Sequence, residues 1–129
     1  MIEQPDLTRN QTLVLGKLSK ADQPMSAYTL LDELRGDGLK APLQVYRALD
    51  KLVAQGRVHR LESISAFVAC QHPDCQSHAA TVFMICEKCG KVSEQADAGV
   101  ATALALVAHA EGFAVEKSSI ELRGACGKC

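Results

Sequence analysis

The chain reads as an α+β protein: an N-terminal winged helix-turn-helix domain followed by a small α/β module. Three observations lead there. Three segments with apolar residues at helical spacing are followed by two short β-like runs, which is the layout of a winged helix-turn-helix. Past Cys70 the pattern changes to a polar loop, a strand, a helix and a second strand. Two Cys-x-x-Cys pairs, Cys86/Cys89 and Cys126/Cys129, flank that last helix and strand.

Leu7, Val14, Leu15 and Leu18 fall on one face of a first helix, leaving Arg9, Asn10 and Lys17 to solvent. After the turn-like Ala21-Asp22-Gln23-Pro24, Ser26 is an N-cap for a second helix with Leu30, Leu31 and Leu34 inward, stopped by Gly36-Asp37-Gly38. Pro42 suits the first position of a third helix, in which Val45, Leu49, Leu52 and Val53 form the stripe and Gly56 follows the end. Arg57 to Leu61 and Ala66 to Ala69 are the strands of the wing. Thr81 to Ile85 has strong β-propensity. Val100, Leu104 and Val107 mark a helix ending near Gly112, and Ser119 to Leu122 is the final strand. The expected division is 1–69 for the winged-helix domain, 70–80 for a hinge and metal-binding loop, and 81–129 for the second module.

At 129 residues, 47% hydrophobic and 22% charged, the composition is ordinary for a globular chain. The N-terminus lacks a basic start followed by an apolar stretch and no segment reaches membrane-spanning length, so a cytoplasmic protein without a membrane partner is expected. The net charge of −1 means that any DNA binding rests on local placement of charge and on dimerisation.

Two Cys-x-x-Cys pairs without a signal peptide favour a metal over disulfides, and four thiolates make a closed structural zinc site: Cys86, Cys89, Cys126 and Cys129. Gly90 and Gly127 are expected to give the two knuckles their backbone freedom. Reversible disulfides are the competing reading of the same pairs. The second module is too small to bury much core, so it is expected to rely on zinc and on pairing with a second copy. The N-terminal residues of a recognition helix reach bases and phosphates. Here they include Gln44, Tyr46 and Arg47: Arg47 suits guanine or phosphate, and Tyr46 a sugar or a thymine methyl. A solvated helix face is the plain alternative.

The runs Ser26 to Leu31, Val45 to Leu52 and Gly56 to Glu62 resemble the DNA-binding half of the ferric uptake regulator superfamily. Cys86 to Val92 and Gly112 through Cys126 resemble its dimerisation half. The zinc-sensing branch is the nearest in pattern. The resemblance implies a zinc-responsive repressor of zinc-uptake genes that binds palindromic double-stranded operator DNA as a homodimer, with one structural and at least one regulatory zinc per subunit. It implies no enzyme activity and no small-molecule substrate. It also implies DNA contacts from Tyr28, Gln44, Tyr46 and Arg47, and a regulatory zinc held by His59, Cys70, His78 and Glu94. Such a mixed sulfur, imidazole and carboxylate set suits zinc. His72 and Cys75 share the loop with His78 and compete for its place or for a further zinc. His109 is read as a surface residue. A histidine-rich run is reduced to Ser77-His78-Ala79 and Ser118 replaces a further histidine of the iron and manganese sensors, which disfavours a harder site. Sensing of another metal or of peroxide through the cysteines remains the alternative. An enzyme using zinc as Lewis acid is disfavoured because four protein ligands leave no open position.

Overall fold

The computed structural model describes residues 7–71, 80–116 and 118–129. His72, Cys75 and His78 therefore lie outside the described residues. The chain divides into two compact units, Met1–Pro73 and Asp74–Cys129.

The first unit holds α1 (Arg9–Lys20), α2 (Ala27–Leu34), α3 (Pro42–Ala54), β1 (Val58–Leu61) and β2 (Ala66–Ala69). Thr8 caps α1 in a reciprocal arrangement with Gln11, and Ser26 caps α2 by accepting from the Thr29 N–H at 3.1 Å. These caps satisfy amides that the first helical turn leaves unpaired. One core joins the three helices to the wing: Val14, Leu18, Leu30, Leu31, Leu34, Val45, Leu49, Leu52, Val58 and Phe67 are all buried. Leu15 and Val53 lie at its edge, half-buried.

After α2 a short 3-10 turn, Arg35–Asp37, ends at Gly38 with φ of 107°. The Arg9 guanidinium donates to the Asp37 carbonyl at 2.7 Å, and a Cβ on Gly38 would stand 3.0 Å from that guanidinium. The backbone conformation calls for glycine here, and an added Cβ would also press on the end of the Arg9 side chain. The strands β1 and β2 are antiparallel, Val58 opposite Ala69 and Leu61 opposite Ala66. Met25 adds a bridge to Phe67 through paired hydrogen bonds of 3.0 and 2.9 Å, which the turn-like sequence before α2 did not announce.

The second unit contains β3 (Thr81–Cys86), β4 (Val92–Ala96), α4 (Ala98–Ala110) and β5 (Ser119–Gly124). Its sheet order is β4-β3-β5, with β4 antiparallel and β5 parallel to β3. β4 is a strand that the sequence reading omitted. Asp97 caps α4 by accepting from the Val100 N–H at 2.9 Å. None of the residues of α4 is buried, although Leu106 and Val107 are large and apolar and both are about two-thirds exposed. Among the described residues no helix is long and apolar enough to cross a membrane.

Candidate metal centre and nucleic-acid interface

The first knuckle grows directly out of β3. The Gly90 N–H donates to the Cys86 carbonyl at 2.9 Å, and the Cys86 N–H donates to the Lys91 carbonyl at 2.9 Å, closing a tight turn. Gly90 sits at φ of 79°, so a side chain there is strained. Gly127 is different: it is absent from the positive-φ residues and an added Cβ meets nothing within 4 Å. The second knuckle therefore does not depend on glycine for its backbone, contrary to the expectation from sequence. The Glu87 N–H donates to the Gly124 carbonyl at 2.7 Å, which ties the end of β5 to the first knuckle and delivers Cys126 and Cys129 to Cys86 and Cys89.

The four sulfurs lie within 4.8 Å of one another. Cys86 to Cys129 is 3.7 Å, Cys89 to Cys126 is 3.8 Å and Cys126 to Cys129 is 3.4 Å. With zinc–sulfur bonds of about 2.3 Å, a tetrahedron has edges of about 3.8 Å, so the sulfurs are already spaced for the ion. None of the four is joined in a disulfide. Backbone N–H groups of Cys89 and Cys126 point at the Cys86 sulfur from 3.4 and 3.3 Å. They stabilise its thiolate and lower its pKa to about 5. Cys126 is lowered as well, chiefly through its hydrogen bond with Cys129. Its sulfur contacts, with Cys126 first and then Cys86 and Cys89, raise Cys129 to about 12. The donor set thus fits a metal that takes thiolates.

In the wing, the Cys70 N–H donates to the Arg57 carbonyl at 2.8 Å and extends the β1–β2 ladder by one residue. His59 lies opposite Val68, so Cys70 is its diagonal neighbour on the same face. Their ligand atoms come within 4.8 Å. Cys70 carries a disulfide, so a thiolate ligand at this position requires that bond to be reduced. In the other unit Glu94 is buried, only 3% exposed, in β4 opposite Phe83. His109 is exposed near the end of α4.

On the winged-helix unit Arg47, Tyr46 and Tyr28 are exposed, Tyr28 at the start of α2 and the other two on α3. Gln44 is placed otherwise: it is half-buried, and its amide oxygen accepts from the Lys40 and Ala41 N–H groups at 2.8 and 3.1 Å. That oxygen caps α3 and leaves the amide nitrogen as the end available to a partner. The capping role has a recognisable signal in retrospect, a glutamine three residues after the helix boundary. A shallow cavity of about 760 Å³ runs between the start of α1 and the exposed side of α3, lined by Thr8, Gln11, Gln44, Arg47 and Lys51 among others.

Residues 6–123 match the model of the ferric uptake regulator family. The chain is 41% identical over 124 residues to the zinc uptake regulation protein of Escherichia coli strain K12, covering 95% of this chain and 72% of that protein. A zinc uptake regulator solved in complex with zinc and DNA matches with a TM-score of 0.89 at 40% identity, over 96% of this chain and 83% of that one. The holo form of XcZur matches with a TM-score of 0.88 at 42% identity, over 98% and 88%. With two winged-helix and knuckle units of the right construction and a match over nearly its whole length, the chain belongs to the ferric uptake regulator family.

Proposed function

We propose that this protein is a zinc-responsive transcriptional repressor, which binds palindromic operator DNA as a zinc-loaded homodimer and represses zinc-uptake genes. The observation that carries this is the 40% identity, over 96% of the chain, to a zinc uptake regulator solved with zinc and DNA. As a regulator it works in the cytoplasm and catalyses no reaction.

Two zinc sites with different duties follow from the residues. Cys86, Cys89, Cys126 and Cys129 hold a permanent ion that crosslinks the two knuckles, supported by their sulfur spacing. His59, reduced Cys70, His78 and Glu94 hold an exchangeable one, with His72 and Cys75 as the competitors for the place of His78. The wing location of His59 and Cys70 and the burial of Glu94 support that set. Its ligands come from both halves of the sequence, 1–69 and 81–129, and from the loop 70–80 that joins them. Zinc therefore favours the DNA-competent arrangement to the extent that it binds that arrangement better.

Dimerisation is supported by α4, which buries none of its own residues and presents Leu106 and Val107 to solvent. A second copy would cover such a surface. Tyr28, Gln44, Tyr46 and Arg47 face the DNA, Gln44 through its amide nitrogen. The test is a titration of operator binding against free zinc, with iron, manganese and peroxide in parallel. Binding that rises with zinc alone supports the reading. Binding that follows another metal, or is set by peroxide, replaces it with the corresponding sensor.

A further inference from the structure

One side chain on the exposed face of α3 has no duty in the reading above. Leu43 is 57% exposed, in the first turn directly after Pro42, and stands outside the core cluster. Helix geometry places Tyr46 and Arg47, three and four residues on, in the same stripe. Val45, Ala48, Leu49 and Leu52 fill the opposite side and are all buried. Leu43 thus points away from the core, at the end of the helix that approaches bases. Its neighbour Gln44 turns its amide oxygen back onto the Lys40 and Ala41 amides. The first turn therefore offers DNA an aliphatic group, with the aromatic Tyr46 and the cationic Arg47 one turn behind it.

The feature of the major groove that rewards an aliphatic side chain is the 5-methyl group of thymine. We propose that Leu43 determines specificity by reading a thymine through its methyl group, at a base pair neighbouring the one that Arg47 contacts. The proposal rests on the DNA-binding function proposed above. Tyr46 is the competitor for a thymine methyl on this face, but its ring ends in a polar hydroxyl and it is less exposed, 40% against 57%, whereas Leu43 has no group except its methyls to offer.

Duplexes are selected from a randomised library by the zinc-loaded full chain, and each thymine is then replaced by deoxyuridine, which removes only the methyl group. Wild type should lose roughly four-fold in affinity at one position per half-site, the equivalent of one buried methyl group. Leu43→Ala should bind the thymine and deoxyuridine duplexes equally at that position, while Tyr46→Phe keeps the discrimination. If wild type discriminates at no position, or if Leu43→Ala discriminates as wild type does, the assignment is overturned. Loss of discrimination in a Tyr46 variant with retention in Leu43→Ala transfers the role to Tyr46 and also overturns it. A wild type that selects no DNA at all with zinc present removes the underlying function, an outcome distinct from binding without methyl discrimination.

Discussion

The backbone N–H of Cys126 lies 3.3 Å from the sulfur of Cys86, so the second knuckle donates a hydrogen bond to the first across 40 residues of chain. The bond aims a main-chain dipole at the thiolate and holds the two pairs at the separation of a metal tetrahedron. Zinc bound there links β3 to the end of β5, and its binding free energy becomes folding free energy of the second unit.

Cys126→Ser or Cys86→Ser should therefore unfold or dissociate the second unit while leaving the winged-helix core, which shares none of these residues. Zinc counting together with thermal unfolding and sedimentation checks this. A folded dimer with an undiminished zinc content would contradict the structural assignment.

Zinc uptake should release protons near neutral pH. Cys129 is raised to about 12 because its proton is shared with Cys126, so it is protonated before the metal arrives and must lose that proton to ligate. Cys86 is lowered from 9.0 to about 5 by the Cys89 and Cys126 amides, so its shift contributes stability that is complete above about pH 9 and is lost progressively as pH falls to about 5. Calorimetric zinc titrations in two buffers of different ionisation enthalpy give the proton count. No release would mean that the thiol pair does not ligate.

Arg47→Ala should weaken operator binding by about 1–3 kcal/mol if its fork meets guanine, with zinc content and dimerisation unchanged. A uniform loss across DNA sequences, with a shallower salt dependence, would make Arg47 a phosphate anchor. Competition binding on matched and mismatched duplexes tells the two apart.

Under reducing conditions Cys70→Ser should keep the protein folded and dimeric, hold fewer zinc ions than wild type and bind DNA without responding to zinc. His59→Ala and Glu94→Ala should match it. Comparison of His78→Ala with His72→Ala and Cys75→Ser identifies the loop ligand. Full zinc content with zinc-dependent DNA binding in Cys70→Ser would remove the regulatory site proposed above.

Local signals carried most of the element assignment. Ser26 and Pro42 mark helix starts through their own chemistry, and the buried Leu30, Leu31, Val45, Leu49 and Leu52 lie at spacings that only a helix brings to one side. The Cys-x-x-Cys pairs are equally legible, because a knuckle is a local turn and two such pairs at this spacing favour a metal. Gln44 was harder to read. A glutamine at a helix start can cap or contact a partner, and only the placement of the Lys40 and Ala41 amides decided that its oxygen caps.

The sequence by itself determined the helices, the wing strands and the two cysteine pairs, since each follows from spacing within a few residues. The tertiary structure decided β4, the Met25–Phe67 bridge and the burial of Glu94. Val92-Ser93-Glu94-Gln95-Ala96 has little strand propensity of its own and is a strand because β3 supplies its hydrogen-bond partners. Glu94 is buried because that register sets it opposite Phe83. Such pairing joins segments by long-range hydrogen bonds and side-chain contact, which leave no periodicity in either segment read alone.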